Sequence, residues 1–229
     1  MNINLVLPVN NPRILTIEDI NSLGLADNIT CNITLPNNHL LEITSKEDEE
    51  IARPSIVSSV IESAESGADA VIVYCFGEPG VEESRQKVNV PVLGIAAPAM
   101  HMASMLGKRF SVIASVEEHC PLINALAKKF GLIDNMAAPL AVNISPDSFN
   151  NNDDLLLSRL IGKAKLSIEN EKVDTFILGC GSMQSKASLI REAIKHTLGY
   201  TVQVVDPLSI SVHLAIVIVK TGLTTNLKI

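Results

Sequence analysis

The sequence predicts an α/β fold of two similar Rossmann-like lobes, each with a mainly parallel sheet flanked by helices. Three observations predict it. Short Val/Ile-rich runs alternate with longer stretches of helical periodicity, as βα units require. The succession of elements begins again near Phe110. Matching peptides also recur in one order in the two halves: LVLPVNN with SVIASVEE, DAVIVYCFG with DTFILGCG, and VLGIAAP with VQVVDP. The first lobe is expected over residues 1–96 and 208–229 and the second over 97–207, with the active site in the cleft between them.

Element by element, Asn2–Leu7 is expected as a buried strand leading into a polar loop, Pro8–Pro12. Asn28–Leu35 is a second strand. Ile51–Ser66 is a helix with Pro54 in its first turn, where a missing N–H is tolerated. Ile56, Val57, Val60, Ile61 and Ala64 line one face of it, and Gly67 suits its end. Strands follow at Ala70–Tyr74 and Pro91–Ile95, and His101 falls on a helix. The second half opens with a strand at Phe110–Ala114 and a helix at Glu118–Phe130 closed by Gly131. Leu140–Ile144 is a strand, Ser145–Asp154 a turn, and a helix runs on to about Asn170. The strand Thr175–Leu178, the helix Lys186–Leu198 ended by Gly199, the strand Val202–Val205 and a last helix from about Leu208 complete the pattern.

Composition narrows the function. Of the 229 residues, 47% are hydrophobic and 19% charged, which suits a packed core and not a disordered chain. The formal net charge is −7, and the 18 Lys and Arg residues are scattered, so no nucleic-acid partner is expected. No apolar run reaches the ~20 residues of a membrane span. MNINLVLP lacks the basic start of a secretory signal. A cytoplasmic protein with four reduced cysteines is the expectation. His39, His101, His119, His196 and His213 show no metal-ligand spacing, so no metal and no cofactor are expected.

The duplication directs attention to two thiols. Cys75 and Cys180 each lie six positions after the Asp that opens the repeated peptide, Asp69 and Asp174. Both fall just past the C-terminal ends of parallel strands, the edge where open α/β sheets bind ligands. A lone cysteine is usually a small core hydrophobe, and Cys31 and Cys120 are read that way. A matched pair fits racemisation next to a carbonyl, in which one group removes a proton and another returns one to the opposite face. A thiol, with a pKa of about 8.5, reaches both protonation states near neutrality. Backbone N–H groups near Gly77 and Gly181, and helix N-termini at the same edge, would stabilise developing charge. Asp69 and Asp174 are read as turn residues. Glu78 and Asp206 lie at the functional edge as contacts to substrate or supports of a loop.

Cys75-Phe-Gly-Glu-Pro-Gly80 resembles the CFGDPG segment of hydantoin racemases, within the aspartate/glutamate racemase superfamily. Leu178-Gly-Cys-Gly-Ser-Met183 resembles their LGCAGM segment, and 92–103 and 109–113 are also similar. The resemblance implies a cofactor-free isomerase with Cys75 and Cys180 catalytic, and Asn10, Phe76, Gly77, Ser115, Gly181 and Ser182 contacting substrate. Several positions depart from the family pattern. An NPNT loop becomes Pro8-Val-Asn-Asn11, so only Asn10 fits, and a Thr-Thr pair becomes Ala114-Ser115. Glu78 replaces Asp, and Gly181-Ser182 replaces Ala-Gly. Free-acid racemases place Asn-Thr after the first cysteine. Phe76-Gly77 better suits a ring, so a 5-substituted hydantoin or allantoin is the expected substrate. An aspartate/glutamate-type racemase, a maleate-type isomerase or an arylmalonate-type decarboxylase remain alternatives on the same scaffold, with the second thiol arguing against the decarboxylase. A catalytically inactive small-molecule binding protein is an alternative of another class. A small-molecule substrate is the expected partner, and a symmetric homo-oligomer the expected assembly.

Overall fold

The computed structural model describes residues 1–145, 148–149 and 152–226. The chain divides into two compact units, 1–98 with 208–229, and 99–207. The first unit holds β1 (Asn2–Val6), α1 (Ile17–Asn21), β2 (Thr30–Thr34), α2 (Lys46–Glu65), β3 (Ala70–Val73), α3 (Val81–Lys87) and β4 (Val92–Leu93). Helix α4 (Ala96–Leu106) carries the chain into the second unit. There follow β5 (Phe110–Ala114), α5 (Cys120–Lys129), β6 (Leu140–Ala141), α6 (Asp153–Glu171), β7 (Thr175–Leu178), α7 (Ala187–Leu198) and β8 (Gln203–Val205). Helix α8 (Pro207–Thr221) takes the chain back to the first unit.

Each unit is a four-stranded, all-parallel sheet, ordered β2-β1-β3-β4 in the first and β6-β5-β7-β8 in the second. The second order is the first with four added to each strand number, so the two units share one topology. The registers of the central pairs also correspond. Ile3 pairs with Ala70 and Val6 with Val73, while Phe110 pairs with Thr175 and Ile113 with Leu178.

A parallel sheet covered on both faces needs strands apolar on both sides. AVIV in β3 is wholly buried, and so is TFIL in β7. The core of the first unit packs Val6, Val71, Val73 and Val92 against Ile56 and Val60 of α2 and Val81 of α3. That of the second packs Ile113, Phe176 and Leu178 against Leu156 and Leu160 of α6 and Ile190 and Ile194 of α7. Each such large aliphatic side chain stabilises the fold by about 1.5–3 kcal/mol relative to exposure.

Asp69 and Asp174 play matched local parts at the opposite edge. The Asp69 carboxylate accepts from the Asn2 N–H at 2.6 Å, and that of Asp174 from the Lys108 N–H at 2.9 Å. Each ties the backbone at the start of its unit's first strand.

The structure corrects several boundaries. Helix α2 begins at Lys46, so Pro54 lies about two turns inside it and not in its first turn. Ser45 starts the helix earlier: its hydroxyl accepts from the Asp48 N–H at 3.1 Å while the Asp48 carboxylate accepts from the Ser45 N–H at 3.0 Å. An interior proline costs about 3 kcal/mol. The reciprocal cap, three acidic residues in the first turn and the buried Ala52, Ile56, Val57 and Val60 offset that cost. Cys120, not Glu118, opens α5, behind a single 3₁₀ turn at Glu117–His119. Of the turn expected over 145–154, residues 146, 147, 150 and 151 lie outside the described residues, and Asp153 already belongs to α6.

Candidate active site

In a sheet ordered 2-1-3-4 the chain leaves the first strand toward one side and the third toward the other. The crevice between those two strand ends is the topological switch point, where α/β sheets take ligands. In the first unit it lies between β1 and β3, and in the second between β5 and β7. Cys75 lies two residues past β3, and Cys180 two residues past β7. Each thiol therefore stands at the switch point of its own unit.

The local backbone repeats as well. Val6 accepts from the Tyr74 N–H at 2.8 Å, and Ile113 accepts from the Gly179 N–H at 2.9 Å. These bonds carry the pairing one residue beyond the strands and fix the residue before each cysteine. A tight turn then begins at the cysteine itself. The Cys75 carbonyl accepts from the Glu78 N–H at 3.1 Å, and the Cys180 carbonyl from the Met183 N–H at 3.0 Å. Residue 179 must be glycine for β7 and its turn to sit this close to β5. A Cβ there would lie 2.6 Å from Val112 Cγ1 and 2.7 Å from the Ile113 carbonyl oxygen.

All four cysteines are thiols, none in a disulfide. Cys75 and Cys180 are half-buried against the cores of their units. The other two are held toward the neutral form. Burial pushes the Cys31 thiol up to about 11. Burial, then the Glu117 carboxylate, pushes Cys120 upward against the opposing charge of Lys163. Neither is suited to act as a thiolate near neutrality.

The remaining candidates divide by unit. In the first, the loop after β1 carries Asn10, whose side chain is exposed and whose N–H donates to the Leu40 carbonyl at 3.2 Å. Its neighbour Asn11 is the buried one, donating from Nδ2 to Leu41 and accepting at Oδ1 from the Arg13 N–H. Phe76 is buried and Gly77 half-buried in the Cys75 turn. In the second unit, the Cys180 turn contributes half-buried Gly181 and buried Ser182. Ser115, past β5, is fully buried, with its hydroxyl 3.0 Å from His119 Nδ1. His119 was set aside in the sequence for want of a metal-ligand spacing. Nothing in the sequence reading linked it to Ser115, four residues earlier.

Glu78 and Asp206 support loops. The Glu78 carboxylate is buried and accepts from the Ala97 N–H, in the first turn of α4, at 2.8 Å. That helix terminus is thus engaged by the protein's own carboxylate. Asp206 accepts from the Ser185 N–H at 3.4 Å. Among the described residues no three His, Cys, Asp or Glu side chains gather as metal ligands, and no helix is long and apolar enough to cross a membrane.

The chain is 27% identical over 184 residues to the hydantoin racemase of Pseudomonas sp. (strain NS671), covering 80% of this chain and 72% of that one. It is 22% identical over 228 residues to the hydantoin racemase of Rhizobium meliloti, covering 99% and 92%. The allantoin racemase of Pseudomonas fluorescens superposes with a TM-score of 0.87 at 25% identity, over 98% of this chain and 93% of that one. Residues 33–215, which include both cysteine turns, match the model of the Asp/Glu/Hydantoin racemase family, and the chain belongs to that family of isomerases.

Proposed function

We propose that this racemase inverts the stereocentre of a 5-substituted hydantoin or allantoin, using Cys75 and Cys180 as two bases and no cofactor. The observation that carries the reading is the matched placement of the two thiols, each at the switch point of a topologically identical sheet and each opening a tight turn closed on its own carbonyl. The substrate class is supported by relatives named as hydantoin and allantoin racemases and by buried Phe76 after the first thiol, where free-acid racemases carry Asn-Thr.

In each turnover the thiolate of one cysteine takes the proton from the carbon next to the carbonyl and becomes a thiol. The electron pair moves onto the carbonyl oxygen, giving a planar enolate. Main-chain N–H groups of the two turns stabilise that oxygen. The second cysteine, starting as a thiol, gives its proton to the other face and ends as a thiolate. The enzyme is left with its two protonation states exchanged, ready for the opposite enantiomer. Thiols suit this exchange because both forms are accessible near neutral pH. Asn10 and Ser115, with Ser182, supply side-chain contacts to the ring.

Incubation in D2O with each enantiomer of allantoin and of 5-substituted hydantoins, beside aspartate, glutamate and maleate, tests the reading. Cys75→Ser and Cys180→Ser should each lose racemisation by about 10³-fold in both directions. Each variant should still exchange the hydrogen of one enantiomer with retention, and the two variants should do so with opposite enantiomers. Full racemisation by either single variant refutes the two-base scheme. Turnover of aspartate, glutamate or maleate alone refutes the substrate assignment.

A further inference from the structure

We propose that Glu78 and Asp206 are positioning residues that hold the two cysteine turns, each by a carboxylate tie between the turn and the helix after the next strand. The inference rests on the reading of Cys75 and Cys180 as the proton-transfer pair. In the first unit the turn after β3 is tied to α4, which follows β4. Glu78 Oε1 accepts from the Ala97 N–H at 2.8 Å. In the second the segment after β7 is tied to α8, which follows β8. Asp206, immediately before Pro207, accepts from the Ser185 N–H. The same two places in the topology are joined in both units.

The chemistry of the two ties is inverted. In the first unit the acid rides on the cysteine turn and the helix donates. In the second the acid stands at the helix start and the cysteine loop donates. Different residues therefore reach one connection, which points to the connection itself as what the fold requires. The backbone supports this. Glu78 has φ 56° and Ser185 φ 65°, left-handed values disfavoured for residues with a side chain. Glycine would relieve the strain at residue 78 but would remove the carboxylate. Gly94 completes the cradle, because a Cβ there would overlap the Glu78 carboxyl group. The buried carboxylate at the start of α4 is itself favoured by the helix dipole. Glu78 is three residues from Cys75 and bonded to its carbonyl through the main chain, so fixing Glu78 fixes the thiol. Proton transfer is sensitive to displacements of about 1 Å, which makes this stiffness matter.

Alkylation of the intact protein by iodoacetamide, with Cys75 and Cys180 quantified separately by peptide mass spectrometry, tests the ties without needing the substrate. Glu78→Ala should change the Cys75 rate at least about threefold and leave Cys180 within about 1.5-fold, with kcat falling about tenfold and KM nearly unchanged. Asp206→Ala should do the reverse for the two thiols. Glu78→Gln, whose side-chain oxygen still accepts from Ala97, should restore the Cys75 rate to within about twofold. Gly94→Ala should reproduce Glu78→Ala and add little to it in the double variant. Should Glu78→Ala fail to fold, Glu78→Asp, one methylene short of Ala97, carries the same expectation. An unchanged Cys75 rate in Glu78→Ala and Gly94→Ala overturns the proposal. So does an equal change at both thiols accompanied by a lower Tm, which is general loosening. The two readings fail separately: racemisation surviving the cysteine substitutions removes the two-base scheme, while the alkylation rates judge the ties alone.

Discussion

Gly179 is the residue on which the second thiol most directly depends. A methyl group at this position has nowhere to go, because one of its two neighbours is the Ile113 carbonyl, which is main chain and cannot swing aside. Gly179→Ala should therefore lower stability by about 1–3 kcal/mol, the usual cost of overpacking. It should also reduce turnover, because the residue it displaces is next to Cys180. Denaturant unfolding beside a racemase assay checks both, and an unchanged unfolding midpoint would contradict the close packing of β7 on β5. At this scale the sequence marked two thiols and said little about the bonds around them. Cys75 and Cys180 stood out because a repeated peptide marked them. Cys31 and Cys120 did not, and burial does hold both toward the neutral thiol. The bonds of Glu78 to Ala97 and of Ser115 to His119 were not legible. The first joins residues 19 positions apart through a main-chain N–H, which any residue but proline offers.

Elements show the same division. The strands Phe110–Ala114 and Thr175–Leu178 were legible to the residue, because each run starts directly after a charged residue, Arg109 or Asp174, and stops before a small one, Ser115 or Gly179. Helix α3, VEESRQK, was not foreseen: only Val81 and Ser84 are buried, so no apolar stripe marks it. Helix α1 is shorter still but did carry a signal, the Thr16–Asp19 reciprocal cap, which recurs at Ser45–Asp48. Proline had drawn the expected start of α2 to residue 51, although the cap six residues earlier decides it. Ser45→Ala removes the acceptor for the Asp48 N–H and should cost about 1 kcal/mol. For a chain of this size that corresponds to a Tm lower by about 2–4 °C. Calorimetry measures it directly, and an unaltered Tm would mean that packing, not the cap, sets where this helix begins.

At the scale of the whole molecule the units differ in how the chain makes them. The second is continuous, whereas the first is assembled from both ends of the sequence. Its late segment is well anchored: Leu208, Val212 and Ala215 of α8 are buried, Thr225 Oγ1 accepts from the Val92 N–H at 2.8 Å, and Asn226 Nδ2 donates to the Val88 and Val90 carbonyls at 2.7 Å. A chain ending at Pro207 should lose amide protection throughout residues 1–98 and keep much of it in 99–207. Hydrogen exchange read by mass spectrometry would show this, and equal loss in both segments would make the molecule one cooperative body. This discontinuity also bears on biosynthesis. Translation delivers 99–207 as a finished stretch before Leu208 emerges, and adds the next 19 residues, to Asn226, in about 1–4 s at 5–20 residues per second. During that interval the nascent chain holds a sheet whose closing helix has yet to leave the ribosome. The Val92 N–H and the Val88 and Val90 carbonyls then lack Thr225 and Asn226, and the edge at β4 is a place where a chaperone would find unpaired backbone.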